Sequence, residues 1–385
     1  MRSVLAILIG AFLSLSIACD SGPKDIIDMD DDPVERDNNR DKDLDKITLP
    51  PGFRIDLYAN NVPNARSLAR SENGVVFVGT RVGTVYAVVD SNDDCVADTT
   101  IVIDEDLRRP NGVAIRNGDL YVAENSRILR YDQIEISLSQ PPTPVVVYDG
   151  LPTDALHGWK FIAFGPDDKL YVPIGAPCNI CDKGQPYAAL WRMNTDGSNF
   201  ELYASGIRNT VGFGWHPVTE ELWFTDNQRD YLGDDVPSDE LNYAPVPGLH
   251  FGYPYFHAGD VPDPVFGQGR NASDYRAPAV RLGPHVAPLG LEFYDGDMFP
   301  AEYRHQIFIA EHGSWNRSQK IGYRITLVRL NGSSEVISYE TFADGWLQGQ
   351  SNWGRPVDLE HLPDGSLLVS DDQKGVIYRI SYTGS

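Results

Sequence analysis

Six copies of one short pattern run along the chain and constrain its fold more than any other feature. Each copy has a turn rich in Gly, Asp or Asn, a short apolar strand, a second turn and another strand. The copies span residues 73–90, 117–132, 167–194, 219–243, 305–330 and 364–380. One such unit cannot bury its own faces, so the copies must stack on each other. The repeat predicts an all-β fold, a six-bladed β-propeller of four-stranded antiparallel blades. A two-sheet sandwich is the alternative, but six equivalent copies fit it poorly.

Composition supports a turn-rich fold and argues against one class of partner. The chain has 35 Gly and 27 Pro in 385 residues, as expected for many short strands joined by tight turns. Its formal net charge is -23. Nucleic-acid binding needs basic patches that can neutralise phosphates, so we expect no nucleic-acid partner.

The N-terminus has the pattern of an export signal. Residues 1–18 contain one Arg, an apolar run and small residues before Cys19, which predicts a lipoprotein-type signal peptide with lipidation at Cys19. A plain signal peptide that is cleaved nearby is the alternative. Residues 19–46 are densely charged and predict a disordered acidic tether, which leaves residues 47–385 for the propeller domain. We therefore expect an exported protein that is lipid-anchored to a bacterial membrane and faces the periplasm or the exterior. No other long apolar stretch follows, so the lipid anchor is the expected membrane contact.

Two closely spaced cysteines predict a disulfide. Cys178 and Cys181 form a Cys-x-x-Cys pair that is followed by Asp182, which excludes a c-type haem attachment site. A zinc site would need two further ligands, and no second Cys-x-x-Cys pair exists in the sequence. In an exported protein, a short-loop disulfide is the preferred interpretation.

Several polar residues precede strands at equivalent places in different copies. His157, Asn111, the pair Arg208 and Asn209, and Arg355 each lie just ahead of a predicted strand. When a propeller ring closes, such positions converge on one mouth of the central channel. Arginines and amides around a histidine suit an anionic, planar ligand with a base beside it. A buried packing role is the alternative for His157.

An acidic stretch in the first copy is a candidate structural calcium site. Asp90, Asn92, Asp94 and Asp98 have the odd-position spacing of a calcium-binding loop. Cys95 occupies the place where such loops favour glycine, and no bidentate Glu follows at the usual distance. A plain acidic hairpin is the alternative.

The order of the motifs along the chain carries a family resemblance. The segments LHGWKFIAFGPDDKLYV, GIRNTVGFGWHP, SDELN, FGYP, APLGLEFYDG, FIAEHGSWNR and GRPVDL follow one another between residues 155 and 359. Together they resemble the glucose/sorbosone dehydrogenase family, and most closely its sorbosone and pyranose dehydrogenase branch. The resemblance extends over residues 47–385. It implies a six-bladed propeller that uses pyrroloquinoline quinone (PQQ) and Ca²⁺ to oxidise a sugar.

The resemblance also implies roles for individual residues. His157 matches the family's general base, and Arg208 and Asn209 match the pair that contacts the quinone, where Arg208 stabilises the charge that develops. Arg355 matches a carboxylate-binding arginine of the last blade. Arg317 lies near the position of a cofactor-binding cation. The quinone would accept the hydride, and a separate cytochrome or quinone-type acceptor would then take the electrons.

The resemblance further implies a calcium site and shows two departures. Asp234 and Asp235 match a loop whose main chain binds the cofactor's calcium ion, with a solvated acidic turn as the alternative. Leu156 stands where the soluble glucose dehydrogenases have a carboxylate that touches the cofactor. Val357 stands where that branch has a second arginine.

Two other functions fit a propeller with this sequence. One is a calcium-dependent lactonase, which would bind a divalent cation at the channel through carboxylates and amides. The other is a non-catalytic binding propeller, because propeller scaffolds support many functions. The combination of His157 with arginines favours the sugar dehydrogenase.

Overall fold

The computed structural model describes residues 42–384, which form a six-bladed β-propeller. The predicted signal peptide, Cys19 and most of the predicted tether lie outside these residues. Within the described range no helix has the length and apolar character needed to span a bilayer.

Each blade is a four-stranded antiparallel sheet, and the first strand of the chain, β1 (Phe53–Ala59), belongs to the last blade. Blade one contains β2 (Ala65–Arg70), β3 (Val76–Thr80), β4 (Gly83–Val89) and β5 (Thr99–Leu107). Blade two contains β6 (Gly112–Arg116), β7 (Asp119–Ala123), β8 (Ile128–Tyr131) and β9 (Val145–Tyr148). Blade three contains β10 (Ala163–Phe164), β11 (Leu170–Ile174), β12 (Ala189–Met193) and β13 (Glu201–Ser205).

The later blades carry insertions. Blade four contains β14 (Phe213–Trp215), β15 (Leu222–Asp226) and β16 (Ser238–Ala244); a hairpin of β17 (Phe256–His257) and β18 (Val261–Pro262) precedes its last strand, β19 (Val280–Pro284). Blade five contains β20 (Pro288–Phe293), β21 (Ile307–Glu311), β22 (Arg324–Leu330) and β23 (Val336–Ala343). A hairpin of β24 (Leu347–Gln348) and β25 (Ser351–Asn352) leads to blade six, which combines β26 (Pro356–His361), β27 (Leu367–Asp371) and β28 (Val376–Tyr382) with β1. Short 3₁₀ helices occur at Lys42–Lys46, Ile134–Ser137, Ala272–Asp274 and Ala301–Tyr303.

The prediction of six blades is confirmed, and the sequence repeat corresponds to the central hairpin of each blade. The six copies contain the second and third strands, from β3 and β4 in blade one to β27 and β28 in blade six. These second strands are apolar at nearly every position because both faces are covered by neighbouring blades. All five residues of β11, β15 and β27 are buried. The outermost strands are more exposed, so their pattern is weaker.

The innermost strands approach one another closely around the channel. These strands, which we call the inner strands, are β2, β6, β10, β14, β20 and β26. At Gly212 a Cβ atom would lie 2.0 Å from the carbonyl oxygen of Leu289, and at Gly290 it would lie 2.2 Å from the Asp358 carboxylate. Glycine is therefore required where neighbouring inner strands pass each other.

The ring is closed by β1, which pairs with β28 from Phe53 opposite Tyr382 to Ala59 opposite Ile377. The Phe53 ring packs against Phe299, Tyr303 and Phe342, and the centroid distances are 4.8, 5.2 and 5.0 Å. All three rings come from blade five: Phe342 from β23, and Phe299 and Tyr303 from the connection between β20 and β21. An aromatic cluster therefore fixes the N-terminal strand to two blades at once.

The folded region begins earlier than the predicted boundary at residue 46. Lys42–Lys46 form a 3₁₀ helix, and Leu44 is only 2% exposed within the same hydrophobic cluster. An ion pair at 2.5 Å joins Asp43 to Lys374 of blade six. The charged composition of this segment concealed one apolar anchor and one ion pair to blade six.

Replacement of Phe53 by alanine should destabilise the ring closure. Removing this aromatic anchor should cost about 3 kcal/mol of the free energy of unfolding, the lower end for a Phe-to-Ala change, because the ring is only partly buried. Chemical denaturation monitored by circular dichroism measures the change. Ile337→Ala, on an outer strand at 65% exposure, is the matched control and should change stability by less than about 0.5 kcal/mol. Equal effects for the two variants would contradict the anchoring role.

Candidate active site

A cavity of about 510 Å³ opens at the channel mouth where the inner strands begin. This volume is in the usual range for small-molecule sites. We call it the arginine cavity, because four arginines line it against two aspartates. Its charged and imidazole side chains are Arg66, Arg81, Arg208, Arg355, Asp230, Asp239, His157, His285 and His312. A positive cavity in a chain of net charge -23 favours an anionic ligand.

One wall of the arginine cavity is organised by Asp372. Its carboxylate accepts from Arg66 at 3.0 Å and from His312 Nε2 at 2.8 Å, and Arg81 lies 3.5 Å away. Burial opposes ionisation of Asp372, but the hydrogen bond from His312 and the charges of Arg66 and Arg355 hold its pKa below the ordinary value. The contacts join blades one, five and six, and they fix two arginines at the cavity before any ligand binds.

The opposite wall is organised by Arg208. Its guanidinium donates to the Asn179 carbonyl and side chain, to the Asn227 carbonyl and to Asp230, all at 2.9–3.2 Å. A guanidinium has five N–H groups, so one remains for a ligand. The backbone N–H of Arg208 donates to buried Asp226 at 3.0 Å. Arg208 is thus a rigid positive charge beside the cavity, with little freedom to follow a ligand.

His157 is held in one orientation at the same cavity. Its Nδ1 atom lies 2.6 Å from the carbonyl oxygen of Ala176. A carbonyl only accepts hydrogen bonds, so Nδ1 carries the proton and Nε2 keeps its lone pair. The backbone of His157 has φ of +50°, in the left-handed region. Gly175 permits this approach, because a Cβ there would lie 2.7 Å from the Cβ of His157.

The environment of His157 keeps the imidazole neutral. Burial, and next the positive charge of Arg208, lower the pKa of His157 to about 3 from an ordinary 6.5. At neutral pH the ring is therefore unprotonated, and Nε2 can accept a proton. The Nε2 lone pair is therefore available to accept a hydrogen bond from a ligand in the cavity.

Two more predicted residues reach the arginine cavity. Arg355 donates from Nε and Nη2 to the carbonyl oxygens of His312 and Gly313, at 3.0 and 2.9 Å, and keeps further N–H groups. Asn209 also lines the cavity, and its backbone N–H donates to Asp226 at 2.7 Å. The structure therefore brings together His157, Arg208, Asn209 and Arg355 from blades three, four and six.

Asn111 and Arg317 do not line the cavity. Asn111 is fully buried, and its side chain accepts from Arg66 at 2.5 Å and donates to Ser67 and to the carbonyl of Lys160. It can therefore act on a ligand only by positioning Arg66. Arg317 donates instead to the carbonyl oxygen of Asp234 and to Gln319.

The loop predicted to bind calcium is occupied by other contacts. The Asp234 carbonyl accepts from Arg317, its carboxylate accepts from Ser318, and Asp235 forms an ion pair with Arg317 at 3.3 Å. The side chain of Asp235 is 88% exposed, and neither aspartate lines the arginine cavity. A guanidinium thus lies where a cation would have to bind, so the contacts of this loop do not fit a bound Ca²⁺.

The second calcium candidate forms an exposed loop between β4 and β5. Asp90 accepts from the backbone of Asp94 and Cys95, and Asp98 accepts from Ser91. Within residues 42–384, the one group of three or more His, Cys or acidic side chains that are close enough to share a metal ion consists of other residues. The carboxylates of this loop therefore do not converge on one point. The acidic-hairpin alternative describes the structure.

Cys178 and Cys181 are joined by a disulfide. The Tyr253 hydroxyl accepts from the backbone N–H of Cys181 at 3.1 Å. The bridge lies beside Asn179, which accepts from Arg208, so it constrains the loop that holds this arginine.

The two departures from the family pattern both border the channel. Leu156 is 49% exposed and lines the cavity, so an apolar side chain stands beside His157. Val357 packs with Val211 and Leu289 in an apolar cluster, two members of which line the cavity. A second arginine at residue 357 would be buried among these side chains without a partner.

Sequence reasoning missed Arg66, Arg81 and His312 as cavity residues. Arg66 belongs to the first inner strand, while Arg81 and His312 follow the second strands of blades one and five. Their common partner, Asp372, follows β27 in the same way. A search for charged residues directly after the second strands, as well as before the inner strands, would have found Arg81, His312 and Asp372, but not Arg66.

Comparisons with known proteins agree with this geometry. The chain matches the profile of the family described as Glucose / Sorbosone dehydrogenase over residues 143–379, more than half of its length. It is 31% identical to an uncharacterized protein of Borreliella burgdorferi over 87% of this chain and 91% of the relative. It is 25% identical to the aldose sugar dehydrogenase YliI of Escherichia coli over 61% of this chain and 58% of that relative.

Solved structures share the fold. The holo PQQ domain of pyranose dehydrogenase from Coprinopsis cinerea superposes with a TM-score of 0.74 at 18% identity, covering 87% of this chain and 97% of that domain. The PQQ-bound aldose sugar dehydrogenase of Streptomyces coelicolor gives 0.62 at 20% identity, covering 87% and 99%.

The neutral state of the partly buried His157 should appear as a pH dependence of stability. Between pH 6.5 and about 3 the unfolded chain takes up a proton at this residue and the folded chain does not, so stability falls as pH falls. His157→Gln removes this proton uptake, and its free energy of unfolding should fall less steeply over that range. Urea denaturation across pH gives both curves. The two curves of unfolding free energy against pH should run parallel above pH 7. If they also ran parallel below pH 6, the neutral imidazole of His157 would be contradicted.

Proposed function

The chain belongs to the glucose/sorbosone dehydrogenase family, and on this premise we propose that it oxidises a sugar with PQQ as hydride acceptor and His157 as general base. The observation that carries the proposal is the oriented, neutral imidazole of His157 beside a cavity with four arginines. The family and its propeller fold support an oxidoreductase that acts on a small sugar.

The donor set of the arginine cavity fits PQQ. The cofactor has three carboxylates and two quinone oxygens, and when bound it supplies a two-electron acceptor. Arg81 and Arg355 retain N–H groups that are not used by the protein and would bind carboxylates. The Trp159 ring is near Arg81 and Arg109, at 5.4 and 4.9 Å from its centroid, and holds cationic groups at this side of the cavity.

The residues of the chain divide the remaining work. His157 Nε2 takes the proton of the sugar hydroxyl as the adjacent carbon loses hydride. The Ala176 carbonyl holds the tautomer and stabilises the imidazolium that forms. Arg208 contributes a fixed positive charge where negative charge develops. Leu156, beside the base, excludes water rather than providing a carboxylate contact.

Calcium dependence is a separate element of the proposal. It rests on the family and on the calcium structure of a Trichoderma reesei carbohydrate-active enzyme of family AA12. With its present contacts, the loop at residues 234–235 does not fit a calcium ion. If the protein requires calcium at this loop, Arg317 would have to move away from it.

We also propose that the protein is exported and anchored through lipidated Cys19, and that it delivers electrons to a separate cytochrome or quinone-type acceptor. The pattern of residues 1–19 supports the anchor. Cys19→Ser should release the protein from the membrane fraction and abolish incorporation of labelled palmitate. Retention of the label in this variant would contradict the anchor.

The function is tested by reconstituting the metal-free protein with PQQ and adding a panel of sugars and an artificial dye. Dye reduction should require both PQQ and sugar, and parallel samples with Ca²⁺ or a chelator test the metal. Absence of PQQ binding at micromolar concentration would favour a non-catalytic propeller. Hydrolysis of lactones without PQQ would favour the lactonase alternative.

His157→Ala separates cofactor binding from catalysis. The variant should bind PQQ, because the arginines remain, but its rate of sugar oxidation should fall by roughly 10²-fold or more when the general base is lost. Quinone absorbance reports binding, and dye reduction reports turnover. His305→Ala, at an exposed site outside the arginine cavity, is the control. Wild-type turnover in His157→Ala would overturn the assignment of the base.

A further inference from the structure

A second cavity, of about 490 Å³, lies at the opposite mouth of the channel. The last residue of every inner strand lines it: Arg70, Arg116, Phe164, Trp215, Phe293 and His361. It is therefore a feature of the ring, separate from the arginine cavity. Nothing in the proposed sugar oxidation uses it.

Three side chains with metal-binding atoms converge at this second cavity. Glu292 is near the end of β20 in blade five, and Glu360 and His361 end β26 in blade six. One ligand atom from each lies within 4.8 Å of the other two. His361 Nδ1 and Glu292 Oε1 are 2.7 Å apart. Two blades thus present a nitrogen and two carboxylates to one point.

The carboxylate of Glu360 lies near the Arg70 guanidinium without a hydrogen bond to it. Arg70 Nε is 4.0 Å from Glu360 Oε1, beyond hydrogen-bonding distance. That Nε donates instead to the carbonyl oxygen of His361, at 2.9 Å. Two glutamates are therefore close together beside the cavity, with the ring of His361 between blades five and six as their shared neighbour. Burial opposes protonation of this ring, but the hydrogen bond to Glu292 raises the pKa of His361 to about 9. A divalent ion that displaces this proton would neutralise both carboxylates.

We propose that Glu292, Glu360 and His361 form a binding site for Zn²⁺ or a similar first-row divalent ion. Zinc binds imidazole nitrogen and carboxylate oxygen at about 2.0–2.2 Å, which places tetrahedral ligands roughly 3.4 Å apart. Small side-chain rotations convert the present separations to these values. The imidazole distinguishes the site from one for Ca²⁺, which prefers oxygen ligands only.

The three side chains are 20–28% exposed. Partial burial reduces competition from water, while the open side toward the cavity leaves a coordination position for water or another small ligand. Because the ligands come from two blades, a bound ion would cross-link blades five and six at the end of the channel away from the arginine cavity. Binding should therefore stabilise the ring by mass action.

The test is titration of the metal-free full chain with Zn²⁺ in the presence of excess Ca²⁺, by isothermal calorimetry. One Zn²⁺ should bind per chain and raise the melting temperature. Glu360→Gln and His361→Gln should each weaken binding by roughly tenfold or more. Co²⁺ added to the wild-type chain should give the visible absorption bands of a four- or five-coordinate site. This measurement uses no variant, so it does not depend on whether a variant folds.

His305→Gln is the matched control. His305 also contacts a carboxylate that lines the second cavity, Asp295, at 3.0 Å, but among residues 42–384 no third His, Cys or acidic side chain completes a ligand set with them. This variant should bind Zn²⁺ as the wild type does. Absence of saturable binding, equal affinity in His361→Gln and wild type, or equal loss in His305→Gln would each overturn the site. A zinc ion in the arginine cavity would be unaffected by His361→Gln, so that outcome also rejects the proposal. Every readout is independent of sugar oxidation.

Discussion

The pairing of β1 with β28 is the interaction on which the rest of the structure depends. The six inner strands surround a channel only when the last blade meets the first, and the last blade is completed by the N-terminal strand. This pairing joins residues more than 300 positions apart, so its loop-closure entropy must be offset by local packing. The cluster around Phe53 supplies such packing, and Leu44 extends it. The cavity residues converge as a result of this closure, since they come from different blades.

The arginine cavity shows how the fold tolerates several buried charges of one sign. Asp372 is shared by Arg66, Arg81 and His312, and Asp230 contacts Arg208, so each buried positive charge has a fixed counter-charge or carbonyl. The arginines are consequently held in place before a ligand arrives, which lowers the entropic cost of binding. Excess positive charge remains because four arginines face three carboxylates, those of Asp230, Asp239 and Asp372. The contacts that hold the arginines in place thus leave part of their positive charge for a ligand.

The architecture could be predicted because the central hairpin of each blade has a clear pattern of turn residues and apolar residues. The inner strands have no such pattern in the sequence. β10 has two residues and β14 has three, too few to show a period. Of the predicted site residues, His157, Arg208, Asn209 and Arg355 line one cavity, and each precedes an inner strand. Arg317 and Asp234 could not be resolved in advance: both are polar residues on long loops, and their mutual contact depends on how two insertions meet. Asn111 precedes an inner strand, as the four predicted cavity residues do. Its side chain is buried against Arg66, however, and does not line the cavity.

The apolar cluster of Val211, Leu289 and Val357 has a consequence for the channel as a whole. It borders the arginine cavity, while the opposite mouth is lined by Glu292, Asp295, Asp358 and Glu360 against Arg70, Arg116 and His361. Positive charge is therefore in excess at the arginine cavity, whereas acidic and basic side chains are more evenly matched at the opposite mouth. The propeller axis is electrically polar, with a field that low-dielectric surroundings screen weakly. An anion that diffuses near this acidic protein experiences an attraction at the arginine cavity that the opposite mouth does not offer, so the molecule has a preferred face for encounter before any contact is made.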